Sequence, residues 1–187
     1  SQNPVLERLD LTFNSLTSID LSNNPALTSV DIQFNQLTAI DVSHQPALRF
    51  LFLGRNQLTA LDITQNPQLE TLQCNSNQIT SLDLSGHPSL VDLTCGEGPL
   101  PALDVTHNPA LRFLNVRIAQ LAAIDLSQNP ALEYLNLYRN NLTSIDLSHN
   151  PALREIHIQE NQLTSLDVSH QPALVLFFCS SNALHTL

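Results

Sequence analysis

The chain contains no lysine, and its seven arginines face seventeen acidic residues, for a formal net charge of −10 over 187 residues. Affinity for a phosphate backbone comes mainly from clustered cations, so nucleic acid is not expected as a partner. No run of about 18 apolar residues is present, so membrane insertion is not expected either. Methionine is absent, an initiator included, and no charged-then-apolar leader opens the chain, which points to a processed or excised polypeptide. Three cysteines are an odd number and do not suggest a disulfide framework. With four glycines and the ordered pattern described next, the sequence does not look disordered. No nucleophile, base and orienting group fall together, so no enzyme, catalytic residue, cofactor or resident metal is expected.

What the chain has is a repeat. An amide or histidine followed by proline begins at Asn3, Asn24, Gln45, Asn66, His87, Asn108, Asn129, Asn150 and Gln171, each 21 residues after the last. Eight full repeats and a 17-residue partial one follow; they are numbered here as coils 1 to 9, with positions counted from the amide. The shared phrase is N-P-A-L-x-x-L-x-L-x-x-N-Q-L-T-x-L-D-L-S-x. Six positions per coil are aliphatic or cysteine; in coil 7 they are Leu132, Leu135, Leu137, Leu142, Ile145 and Leu147. The L-x-L pairs have the period of two of a short strand. One coil cannot bury that apolar set alone, but stacked coils make a continuous core.

The segments LERLDLTFN at Leu6, LEYLNLYRN at Leu132 and LREIHIQEN at Leu153 carry L-x-x-L-x-L-x-x-N in register. This phrase resembles the leucine-rich repeat, specifically the short bacterial kind of 21 residues, over essentially the whole chain. The resemblance implies one solenoid domain over residues 1–187, with a parallel sheet on one face and short extended segments on the other. Nine coils at about 4.8 Å give a rod on the order of 40 Å long, and the short second half predicts weak curvature. The resemblance also implies a secreted or bacterial cell-surface protein, although three unpaired cysteines argue against that compartment.

Several columns look structural. Asparagine holds position 12 in seven coils (Asn14, Asn35, Asn56, Asn77, Asn140, Asn161 and Asn182), where a buried amide can satisfy a donor and an acceptor at the turn. Aspartate holds position 18 of all eight full coils, from Asp20 to Asp167. Stacked carboxylates repel; water, salt and nearby hydroxyls are the expected compensation, and a cation bound along the column is a sharper alternative. His44, His107, His149 and His170 fill the last position of a coil and read as turn residues rather than metal ligands. Cys74, Cys95 and Cys179 occupy position 9, where a thiol packs as a small hydrophobe and is expected to be reduced.

The remaining positions vary, and they vary together. All seven arginines and eight of the nine aromatics fall at positions 5, 6, 8, 10 and 11, on or beside the outward side of the first strand. Such residues anchor protein interfaces. Two clusters are candidate binding residues: Arg49, Phe50, Phe52 and Arg55, and then Arg112, Phe113, Arg117, Tyr134, Tyr138, Arg139, Arg154 and His157. The opposite side carries only the aspartate column.

The phrase breaks at LTCGEGPLPALDV, residues 93–105. Gly98 stands in place of asparagine and Pro101 in place of threonine, with Ala119 and Ala122 at the matching places of coil 6. The inward positions and the spacing survive, so the break reads as drift in a well-supported interior or as a local bend shaping the neighbouring face. The expected function is a non-enzymatic module that binds a protein partner through the first-strand face. A structural spacer in a surface or adhesion protein is the alternative, and cation binding on the aspartates a lesser one. Neither end of the array carries a polar cap, which suggests a piece of a longer array or end-to-end self-association. The unbroken register would suit a designed sequence; the varied inward cysteine, valine and phenylalanine suit a natural one.

Overall fold

The computed structural model describes residues 3–186. Nine three-residue strands occupy positions 6 to 8 of the nine coils: β1 Arg8–Asp10, β2 Ser29–Asp31, β3 Phe50–Phe52, β4 Thr71–Gln73, β5 Asp92–Thr94, β6 Phe113–Asn115, β7 Tyr134–Asn136, β8 Glu155–His157 and β9 Leu176–Phe178. They form one parallel sheet in chain order. The register never slips: Leu9 pairs with Val30, Val30 with Leu51, and so on to Ile156 with Phe177. The described residues contain no helix. The fold is a parallel-strand solenoid, and the sheet runs through the irregular coils 5 and 6 without interruption.

The strands are short because the chain turns sharply at position 11. All nine residues there have φ between 53° and 58°, and none is glycine; Phe13, Arg55, Glu97 and Ile118 are among them. Left-handed backbone costs a non-glycine residue about 1–2 kcal/mol. Neighbouring coils offset this, since the N–H at position 11 donates to the position-10 carbonyl of the next coil. Phe34 donates to Gly54, Arg55 to Asn75 and Glu97 to Arg117, at 3.0, 2.9 and 2.7 Å.

The second half of each coil is extended but forms no second sheet. A regular coil makes one backbone bond there, as from Gln57 N–H to the Leu37 carbonyl at 2.8 Å. Among the described residues its only bridge is Ser165 with Thr186. Positions 4, 7, 9, 14 and 19 fill the core, and most of their side chains are fully buried. Position 17 departs from the expectation of six inward positions: Ile19, Ile40, Leu61, Leu82, Ile124 and Ile145 are only half-buried. Leu103 and Leu166, at the same position, are buried. Cys74 and Cys95 are buried free thiols. Burial pushes Cys74 up to about 12 and Cys95 well above the usual thiol value, so both act as packing residues. Cys179, in the last coil, is half-buried rather than buried.

Two polar ladders run through the turns. At position 12, the Asn56 amide donates to the carbonyls of Ile32 and Leu53, and its oxygen accepts the Leu37 N–H, at 2.9, 3.0 and 3.0 Å. Asn35, Asn77, Asn140 and Asn161 repeat this, each buried and each bonded to the preceding coil. Asn14, in coil 1, is exposed and reaches only the carbonyls of Leu11 and Thr12. Sequence reasoning used the second ladder, at position 1, only as the repeat marker. Asn66 donates to Val42 and Gln45, both at 2.9 Å, and Asn108 to Leu84 and His87 at 3.1 and 2.8 Å. His87 takes the same role through Nε2, 3.0 Å from the Ile63 carbonyl, which identifies Nε2 as the protonated nitrogen.

Candidate binding face

Alternation along each strand puts positions 6 and 8 outward, and the sheet stacks them into columns across coils. One column becomes a ladder of rings. Phe113 and Tyr134 stack with centroids 4.2 Å apart and planes 4° apart. Tyr134 meets His157 at 5.6 Å, tilted by 42°, and His157 stacks on Phe178 at 4.7 Å and 21°. The ladder crosses four coils, moving from position 6 to position 8 at His157. Its last member, Phe178, lies outside the two sequence clusters, although it shares position 8 with His157.

The charges on this side are engaged by neighbours one coil away. Arg112 bonds Glu133 through Nε at 3.0 Å and Nη2 at 2.6 Å. Arg117 and the Ser76 hydroxyl both donate to Glu97, whose carboxyl they hold below its usual value, the Ser76 bond contributing most. Tyr138 donates to Glu160 at 2.8 Å, and Arg139 lies 3.7 Å from the same carboxylate. His157 contacts Glu155 at 2.6 Å. Arg154 has no ion pair among the described residues. The second cluster therefore consists of three ion-paired groups, at Arg112, at Arg117 and at Tyr138 with Arg139, beside the ring ladder.

The first cluster is looser. Arg49 forks onto Glu70 through Nε at 2.9 Å and Nη2 at 2.8 Å while lying 5.2 Å from the Phe50 ring centre. Arg55 covers Phe34, also at 5.2 Å, and Phe34 stacks on Phe13 at 4.1 Å. Phe52 is half-buried and makes no ring–ring contact among the described residues.

The opposite side is uniform. Each position-18 carboxylate closes a turn two residues on. Asp62 accepts the Thr64 N–H at 2.9 Å and its hydroxyl at 2.7 Å, and Asp104 does the same with Thr106 at 2.9 and 2.7 Å. These bonds hold the column's carboxyls below the ordinary aspartate value, which answers how neighbouring charges are tolerated. His44, His107, His149 and His170 contact the adjacent Ser or Thr hydroxyl through Nδ1, as turn residues would. Among the described residues no three acidic, histidine or cysteine side chains converge on a common point.

The break has a packing role. A Cβ on Gly98 would sit 2.5 Å from the Asn77 carbonyl oxygen, and one on Gly96 would sit 2.1 Å from the Arg117 carbonyl oxygen. Coil 5 is pinched between its neighbours where the asparagine spacers are missing. Two of the turn donors in the irregular coils find other acceptors, Leu100 N–H and Ala119 N–H. Leu100 N–H finds the Gly98 carbonyl at 2.9 Å. The Asn140 oxygen takes both Ala119 N–H and Leu121 N–H, at 3.1 and 3.0 Å. Gln120 adds a left-handed residue, φ 68°, that no other coil has at that position.

Models of the leucine-rich repeat match residues 2–22, 46–87 and 130–172. The chain belongs to the leucine-rich repeat family. Leucine-rich repeat proteins are generally non-enzymatic interaction modules, and several of the similar solved structures are bacterial. The functional domain of InlJ from Listeria monocytogenes, described as including a cysteine ladder, is 32% identical with a TM-score of 0.83, over 97% of this chain and 45% of that one. A leucine-rich repeat protein of Leptospira interrogans is 28% identical with a TM-score of 0.90, over 96% of this chain and 50% of that one. An internalin of Listeria monocytogenes, at 22% identity and a TM-score of 0.89 over 97% of this chain and 56% of that one, shares the fold. The repeat array here thus spans about half the length of these relatives. No curated protein matches the sequence.

Proposed function

We propose that residues 1–187 form one non-enzymatic leucine-rich repeat module that binds a protein partner through the strand face of coils 6 to 9. The observation that carries this reading is the ring ladder Phe113–Tyr134–His157–Phe178. Inside the ladder, stacking covers ring faces and turns edges outward, and the end ring Phe113 keeps one face toward β5. A sugar ring needs an open aromatic face to lie on, whereas ring edges carry partial positive charge and meet carbonyl oxygens and other rings of a protein. Arg154, next in sequence to β8 and without an ion pair among the described residues, supplies a cation of the kind interface hot spots favour.

A spacer is the second reading, and the pairing of Arg49 with Glu70 and Arg112 with Glu133 favours it, because such charges already serve the coil stack. Capture from host and bacterial extracts distinguishes the two. The wild-type chain is compared with a Phe113→Ala, Tyr134→Ala, Tyr138→Ala variant, after circular dichroism has established that both are folded. A protein retained by the wild type and lost by the variant is expected. Equal retention moves the site off this face, and no retention leaves the spacer.

A further inference from the structure

We infer that Asp92 and the open face of the Phe113 ring form a docking site for an arginine side chain of the protein partner. This rests on the strand-face reading above.

Nine acidic residues lie outside the aspartate column. Among the described residues, seven of them, Asp10, Asp31, Glu70, Glu97, Glu133, Glu155 and Glu160, have a side-chain hydrogen bond or ion pair. Glu7 is exposed to water. Asp92 alone is half-buried with neither; its Oδ1 is shielded from solvent and accepts nothing. Burial holds its carboxyl above the ordinary aspartate value with no cation to counter it. The nearest arginines along the sheet are occupied, Arg112 by Glu133 and Arg117 by Glu97. A desolvated, unpaired carboxylate is unfavourable unless something completes it.

The ring ladder ends beside this carboxylate. Tyr134 covers one face of Phe113. The other face looks along the sheet toward β5, where Asp92 is the register partner of Phe113. Four positions further along the same coil, beyond Thr94, Gly96 contributes no side chain, so nothing from position 10 of coil 5 rises over the site. A negative ring face beside a carboxylate calls for a cation. A planar guanidinium matches both, stacking on the ring while it donates to Asp92 Oδ2, the carboxylate oxygen that is not shielded.

Elsewhere on this face one guanidinium serves a carboxylate and a ring together, in a different placement: Arg49 forks onto Glu70 and lies 5.2 Å from the centre of the Phe50 ring.

The test titrates isotope-labelled protein with N-acetyl-arginine methylamide and with its citrulline counterpart, which keeps the shape and lacks the charge. NMR signals of the Phe113 ring and the Asp92 carboxyl are followed. The arginine probe is expected to shift both saturably, with a response at least about tenfold weaker to citrulline. Asp92→Asn, which removes a desolvated charge and should fold, is expected to abolish the response, as is Phe113→Leu. An equal response to citrulline, an unchanged response in Asp92→Asn, or none in the wild type would overturn the inference. The two readings fail distinguishably. A captured partner that depends on Tyr134 and Tyr138 but binds Asp92→Asn equally well removes the arginine site and leaves the face. A saturable arginine response with no captured partner removes the protein-binding reading and, with it, the assignment of the site to a partner's arginine.

Discussion

The two buried ladders do the same job with different completeness. At position 12 each buried asparagine uses both ends of its amide, and the ladder stops at Gly98 and resumes at Asn140. At position 1 the ladder runs through the break by way of His87 and Asn108, but only its donors are used. The oxygens of Asn66, Asn108, Asn129 and Asn150 are buried with no partner. The better-bonded ladder is thus the interrupted one, and the half-used ladder is continuous. A solenoid can lose a strong bridge in one turn when a second set of bonds holds the same coils in register.

That contrast is open to direct attack, and the largest effect belongs to the pinched coil. Gly96→Ala is expected to destabilise by about 3 kcal/mol or more, because its Cβ meets backbone rather than a flexible side chain. Gly98→Asn restores the repeat's own residue, yet it is expected to destabilise by about 1–3 kcal/mol, since a Cβ there meets the Asn77 carbonyl oxygen at 2.5 Å. Urea unfolding midpoints measure both, and a stabilised Gly98→Asn would show that the asparagine was lost by drift.

Within the regular coils, Asn56→Ala is expected to cost about 2–4 kcal/mol and Asn66→Ala about 1–2 kcal/mol. The first strands two carbonyls and an N–H, while the second strands two carbonyls and removes an oxygen that was already unpaired. Equal midpoint shifts would mean that the unpartnered oxygens do bond in solution.

Acid separates the strand face from the aspartate column. The column's carboxyls lie below the ordinary value of 3.8 in the folded state, so their contribution is fully present above that value and is lost as pH falls from there through their lowered folded values. Asp92 has the opposite sign: its folded value is raised, so it disfavours the fold once pH rises past 3.8 and ceases to do so in acid. Thermal melts from pH 7 to pH 3 should therefore show overall loss of stability. Asp92→Asn should exceed the wild type at pH 7 and converge with it near pH 3. The smallest effect is expected at Gly86, where a Cβ meets nothing within 4 Å; Gly86→Ala should stay within about 0.5 kcal/mol of the wild type.

Much of the fold was legible because the repeat is strict. A 21-residue period, read from the position-1 amides, sets the coil count and the parallel register seen from Leu9–Val30 to Ile156–Phe177. The position-12 ladder was legible as a column of one residue type. The position-1 ladder was equally visible, but asparagine, glutamine or histidine before proline also suits an ordinary turn, and nothing local distinguishes a buried turn amide from an exposed one. Phe113, Tyr134 and His157 could be placed on one face. That Phe178 joins them, and that the rings stack face to face within the ladder, depends on rotamers set by packing between coils.

The sequence by itself determined the solenoid, its inward positions and its two unlike sides, because burial of a periodic apolar set allows one solution. Tertiary structure decided the rest. Phe13, Arg55, Glu97 and Ile118 adopt left-handed backbone that none of them prefers, because hydrogen bonds to the next coil outweigh a local cost. The carboxylate of Asp92 went unpaired for a related reason: its surroundings come from coils above and below, 21 residues away in either direction, and no local pattern encodes them.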